Sequence, residues 1–265
     1  MATQRRGAAI RIAALRKEYV SGAGVVVAID NIDLQVSPGE FLCIVGPSGC
    51  GKSTLLRILA GLDTQSSGTI EVDAEGWPVQ NAMVFQESGL FPWMSVTTNV
   101  GFGLMTRGVP AAEATDRIEA ALKLVGLTKF RNHYPHQLSG GMRQRSAIAR
   151  AFVTDPGMLL MDEPFAALDA QNRVILQEEL VRIWEQTGKT VIYVTHSIDE
   201  ALLLGDRTVV MTAQPGRIKQ TIDVPFPHPR NLITLSASAE FGKMKLDIWR
   251  VLEEEVMRAR AEEEA

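Results

Sequence analysis

The first third of the chain carries apolar residues in short runs, and the period then lengthens. Ile32, Leu34 and Val36 alternate with polar neighbours, while residues 8–15 and 25–29 are mostly apolar. Together, residues 8–36 predict two or three strands of a half-exposed antiparallel sheet. Phe41–Val45 is continuously apolar and predicts a buried strand, and residues 55–60 predict a helix. Residues 69–72 and 82–85 predict two more strands. Residues 95–151 shift to helical character, with Ile118, Ala121, Leu122 and Val125 at helical spacing before Gly126 and a further helix over 143–154. Met158, Leu159, Leu160 and Met161 form an apolar strand. Leu176, Leu180, Ile183 and Trp184 place one stripe on a helix over 174–186. Strands follow at Thr190–Thr195, 208–212 and 217–224. Pro225, Pro227 and Pro229 predict an extended connector. Met244, Ile248, Leu252 and Val256 step by four, so residues 239–260 predict a docking helix, with a solvated end at Glu262 to Glu264.

Composition narrows the class. The chain has 265 residues, 46% of them hydrophobic, which suffices for a large core. A net charge of −4 gives no nucleic-acid footprint. Cys43 and Cys50 have neither disulfide-framework nor metal-ligand spacing, which suits reduced, cytosolic thiols. Arg5 and Arg6 begin the chain, but Arg11, Arg16 and Lys17 interrupt any secretory apolar stretch. No apolar run approaches the ~20 residues that span a bilayer, so a membrane role calls for a partner chain.

The chemistry centres on residues 46–54. Gly46, Gly51, Lys52 and Ser53 are spaced as a phosphate-binding P-loop between a predicted strand and a predicted helix. Glycines let successive N–H groups face one point, and the following helix adds its positive end. Lys52 supplies a charge for β- and γ-phosphates, and the Ser53 hydroxyl can ligate Mg2+. Asp162 and Glu163 end an apolar strand, where paired carboxylates are costly without a metal or a proton in transit. Asp162 reads as the Mg2+ partner of Ser53, and Glu163 as a general base for water. His196 ends the next strand and is placed to face phosphate. Ser139 is a good N-cap, and Gly140 and Gly141 make the same helix start either a simple cap or an anion site. Gln86 at a strand end says little by position. The segment 89–94, with Phe91 and Trp93, either folds into the core or forms a patch for a partner. Tyr19 reads by itself as an aromatic packed at a sheet boundary.

In order, residues 46–54, Gln86, Leu138 to Met142, Asp162 with Glu163, Ala167 to Asp169 and His196 resemble the Walker A, Q-loop, signature, Walker B, D-loop and H-switch of ABC-transporter ATP-binding subunits. The resemblance spans about residues 9–225. Met142 and Ala167 depart mildly, standing where glutamine and serine are commoner. Leu90, Phe91, Pro92 and Trp93 with Val96, Asn99 and Val100, the short span before Gln86, and the tail from Val224 to Arg230 resemble the nitrate, sulfonate and taurine importer branch.

The resemblance implies an α/β fold: a P-loop NTPase (RecA-like) core with an antiparallel β-subdomain and an inserted α-helical subdomain. The cassette would span 1–230, with core 1–86 and 160–230 around helices at 87–159, and 231–265 would be a C-terminal helical extension. It implies ATP and Mg2+ as ligands. Catalysis would rest on Lys52, Gln86, Glu163 and His196, and metal binding on Ser53, Gln86 and Asp162. Tyr19 would stack on adenine. Gly46, Pro47, Ser48, Gly49, Cys50, Gly51, Lys52, Ser53 and Thr54 would hold phosphate. Ser139, Gly140, Gly141 and Asp169 would meet nucleotide across a head-to-tail homodimer. Transmembrane permease subunits and, indirectly, a substrate-binding protein are the implied partners, at the cytoplasmic face of the membrane. A soluble ABC ATPase acting on DNA or ribosomes fits less well, because tandem cassettes and basic extensions are missing. A P-loop kinase leaves Leu138 to Gly141 unexplained.

Overall fold

The computed structural model describes residues 7–22, 24–73, 80–166 and 168–263. Ala167, and Glu264 of the expected solvated end, lie outside them. Strands β1 (Ala9–Ser21) and β2 (Gly24–Val36) form an antiparallel pair that β4 (Ser67–Asp73) extends on the β1 edge. The two apolar segments expected at 25–29 and 32–36 are one strand. Asn31 takes φ +53° between them, a conformation asparagine tolerates better than most residues. Both segments therefore keep their pairing to β1 across a kink.

Strands β3 (Phe41–Val45), β5 (Asn81–Val84), β6 (Met158–Asp162), β7 (Thr190–Thr195), β8 (Arg207–Met211) and β9 (Ile218–Asp223) form a second sheet in the order β5-β6-β7-β3-β8-β9. All neighbours are parallel except β8 and β9. Every residue of β3 and β7 is buried, which explains runs that are continuously apolar rather than alternating.

Helix α1 (Lys52–Leu59) lies between the sheets. Its Leu55 and Leu56 pack with Ile10, Ile12 and Leu34 on one side and Leu42 and Ile44 on the other. The opposite face of the parallel sheet is covered by helices. Helices α2 (Val96–Thr106), α3 (Ala111–Leu124) and α4 (Gly140–Phe152) all fall between β5 and β6. Helices α5 (Ala170–Thr187) and α6 (Ile198–Leu204) flank β7. α6 and α7 (Leu232–Ser236) are too short to show a period in the sequence. The proline segment has no regular structure and leads through α7 to α8 (Ala239–Glu263). Arg230 ties this connector down: its guanidinium donates to the carbonyls of Leu202, Leu203 and Gly205 at the C-terminus of α6. A cation there satisfies carbonyls that the helix leaves unpaired.

Candidate functional site

Parallel strands end on one side of the sheet, and the polar residues gathered there come from those ends. β3 runs into the glycine loop, β6 ends at Asp162 and β7 ends at Thr195. Gly51 is the N-cap of α1 with φ +94°, and a Cβ there would stand 2.8 Å from the Ala28 carbonyl oxygen. Only glycine fits this turn. α1 has no side-chain cap and no acidic residue in its first turn, so its N-terminal N–H groups are suited to an external anion. The Lys52 ammonium lies over the loop and donates to the Gly46 and Pro47 carbonyls at 2.8 and 2.7 Å.

A cavity of 570 Å³ opens above this loop, lined by Ser48, Lys52, Ser53, Gln86, Glu163 and His196 among others. The Ser53 hydroxyl donates to Asp162 Oδ1 at 3.0 Å. Burial pushes the Asp162 carboxyl up, against the hydrogen bond from Ser53, and the nearby Glu163 charge adds to the rise. A partly buried carboxylate beside a hydroxyl is a donor pair that a hard divalent cation would stabilise. Among the described residues no group of three or more His, Cys, Asp or Glu side chains is placed to hold a metal ion by itself. The pair therefore fits Mg2+, which takes one or two protein oxygens and fills its shell from phosphate and water. The Glu163 carboxylate accepts from His196 Nδ1 at 3.0 Å. Glu163 takes φ +44°, a left-handed conformation costing about 1–3 kcal/mol that its N–H bond to the Val194 carbonyl helps to hold.

His196 is fixed from behind. Glu200, buried on α6, accepts from the Tyr193 and Thr195 hydroxyls at 2.9 and 2.6 Å and from Gln177 Nε2 at 3.0 Å. The Thr195 hydroxyl oxygen also accepts from the Ser197 N–H. This network links β7, α5 and α6 around the His196 backbone. Nothing in the periodicity pointed to it, because Glu200 reads as a surface position of a helix too short to assign.

Other expected site residues lie elsewhere. Cys50 is buried under the loop, and burial pushes its thiol up. Ser139 caps α4, its hydroxyl accepting from the Met142 N–H at 3.2 Å. A Cβ on Gly141 would stand 2.9 Å from Leu168 Cδ2, so the second glycine also has a packing reason. Asp169 caps α5, and its carboxyl is held down by the Asn172 N–H and amide. None of Ser139, Gly140, Gly141 and Asp169 lines the 570 Å³ cavity. Tyr19 does not line it either. Its hydroxyl donates to Asp63 Oδ2 at 2.8 Å, and the Lys17 ammonium stands 4.7 Å from its ring centre.

Gln86 borders both that cavity and a 490 Å³ cleft reaching Gly140 and Arg143. Helix α4 holds this segment from two points along its length. Gln144 Nε2 donates to the Phe85 carbonyl, and Arg150 donates to the carbonyls of Ser88 and Gly89. Segment 89–94 is partly packed and partly exposed. Phe91 packs on Phe102 with ring centres 4.8 Å apart, while Trp93 is 70% exposed. Asn99, fully buried, anchors the segment by accepting from the Phe91 N–H and donating to the Phe91, Met94 and Ser95 carbonyls.

Comparison with known proteins agrees with this geometry. The ABC transporter family model matches residues 29–166. An uncharacterized ABC transporter ATP-binding protein of Methanocaldococcus jannaschii is 47% identical, covering 94% of this chain and 93% of its own. The nitrate import ATP-binding protein of Synechocystis is 45% identical over 82% of this chain and 83% of its own. A taurine import ATP-binding protein of Jannaschia is 40% identical over 95% and 97%. A solved dimeric ATP-binding cassette in a post-hydrolysis state, bound to ADP and Pi, superposes with TM-score 0.74 at 32% identity, covering 82% of this chain and all of its own.

Proposed function

The chain belongs to the ABC transporter family as an ATP-binding subunit, and from that premise we propose that ATP hydrolysed above Lys52 powers import of a small anion through separate membrane subunits. The observation that carries the reading is one cavity where the Ser53–Asp162 pair and the Glu163–His196 pair meet the P-loop.

In this mechanism the α1 N-terminus and Lys52 bind the β- and γ-phosphates. The Ser53 hydroxyl and the Asp162 carboxylate, with Gln86, would hold Mg2+, which supplies positive charge at the phosphate oxygens. The Glu163 carboxylate orients a water molecule and takes its proton as the water oxygen attacks the γ-phosphorus and the bond to the β-phosphate oxygen breaks. His196, held by Glu163 and by the Thr195–Glu200 network, contacts the γ-phosphate. Positioning and charge stabilisation do most of the work in phosphoryl transfer.

Ser139, Gly140 and Gly141 complete the site of a second copy in a head-to-tail homodimer, with Asp169 at the same junction. A solved relative is a dimeric cassette, which supports this arrangement. Tyr19 stacks on adenine with its exposed ring face. No described helix is long and apolar enough to cross a membrane. In this reading the pathway belongs to permease subunits, and this chain sits peripherally on their cytoplasmic side. Relatives named for nitrate, taurine and aliphatic sulfonates share small oxyanion cargoes. An oxyanion delivered by a substrate-binding protein is therefore the proposed cargo class. Lys52→Ala tests the site: free phosphate release from ATP should fall at least about 10²-fold, and release at the unaltered rate would remove the assignment.

A further inference from the structure

Helix α8 is clamped to the core rather than trailing from it. Phe241, Ile248 and Leu252 are buried. Glu255 accepts from the Ala213 N–H at 2.9 Å, and Arg258 donates to the Ala213 carbonyl at 2.9 Å. Lys245 pairs with Asp199 at the start of α6. Held along its length, α8 runs past the P-loop. Trp249, Leu252, Val256 and Arg260 form one wall of a 350 Å³ cavity whose other wall includes Pro47, Ser48 and His196. Ser48 and His196 also line the nucleotide cavity, so the two cavities meet at these residues.

The outer side of this wall is suited to a protein surface. Trp249 is 45% exposed although it borders the groove. Arg260 is exposed, and no hydrogen bond or ion pair of its guanidinium is seen among the described residues, whereas Lys245 and Arg258 are both paired. A partly exposed tryptophan and an exposed arginine on a rigid helix are the residue types that anchor interfaces.

We propose that α8 is part of the surface on which a second copy of this chain closes over ATP, with Trp249 and Arg260 as its anchors. The inference rests on the head-to-tail sandwich. Its occupant follows from continuity: a partner that brings Ser139 to Gly141 over Ser48 and the phosphates comes within side-chain reach of the helix bordering that same Ser48. The exposed ring of Trp93 belongs to the segment that follows Gln86 and needs no part of α8. The C-terminal extension then sets how much ATP is needed for closure, without touching the reacting atoms.

The test uses full-length Glu163→Gln protein, titrated with ATP and followed by light scattering. Adding Trp249→Ala or Arg260→Ala should raise the ATP concentration for half-dimerisation about tenfold. Binding of ADP to the monomer should be unchanged. Leu246→Ala, on an equally exposed residue of α8 outside the groove, should leave the midpoint where it was. Where Trp249→Ala lowers the melting temperature, Arg260→Ala, on an exposed side chain, decides. Closure of Arg260→Ala at the parent's ATP concentration overturns the inference while leaving the sandwich intact. So does a defect that appears only in assembly with membrane subunits. A parent that stays monomeric in saturating ATP removes the sandwich itself and the inference with it.

Discussion

His196 Nδ1 stands 3.0 Å from Glu163 Oε2, joining the end of β7 to a carboxylate that leaves β6 with positive φ. The contact fixes the carboxylate on the wall of the phosphate cavity. Glutamine in place of Glu163 retains an oxygen that can accept from the imidazole but cannot take a proton from water. Glu163→Gln should therefore slow hydrolysis by about 10²–10⁴-fold with ATP affinity unchanged. Steady-state phosphate release beside equilibrium binding of ATP checks both. A parallel loss of affinity would show that the carboxylate binds rather than activates.

Asp162 carries a different signature. Burial raises its carboxyl, so the folded chain holds that proton to higher pH than the unfolded chain does. Between the ordinary carboxylate value and the raised one, stability falls as pH rises, because the fold binds more protons than the unfolded state. Asp162→Asn should therefore raise the melting temperature of the nucleotide-free protein at pH 7 and erase that part of the pH dependence. It should also abolish Mg2+-dependent hydrolysis. Thermal melts from pH 4 to 8 measure this, and an unchanged or lower melting temperature at pH 7 would contradict it.

The Phe91 and Trp93 pair separates packing from docking. Trp93→Ala removes a mostly exposed ring and should change stability by less than about 0.5 kcal/mol. It should leave the ATPase of the isolated subunit intact while weakening pull-down of the membrane subunits and abolishing ATP-driven uptake. Phe91→Ala should cost about 1–3 kcal/mol, less than a fully buried phenylalanine would. A Trp93→Ala variant that assembles and transports normally would dismiss the docking role.

Much of this architecture was legible because buried parallel strands write themselves as apolar runs. β3, β6 and β7 appear in the sequence nearly residue for residue, and each ends at the chemistry. The P-loop was legible for a related reason, since Gly51 occupies a turn that no side chain tolerates. What escaped was tertiary. Glu200 behind His196, Arg150 gripping the Gln86 segment, and α8 against the P-loop bring together positions far apart in the chain, and no local period announces them. The Tyr19 hydroxyl is the instructive case. A stacking role suggests that the ring alone matters, yet its bond to Asp63 shows that Tyr19→Phe would remove a contact as well.

The composite site is the central claim, and trans-complementation tests it most directly. Lys52→Ala removes the phosphate charge but leaves Ser139 to Gly141 intact. Ser139→Arg blocks the α4 N-terminus but leaves the P-loop intact. Each variant alone should be nearly inactive. Mixed in equal amounts, half of the random dimers are mixed and each mixed dimer carries one intact site, so the mixture should recover up to about a quarter of the unaltered ATPase rate. A mixture no more active than its parents, or a Ser139→Arg variant active by itself, would contradict a site shared between two copies.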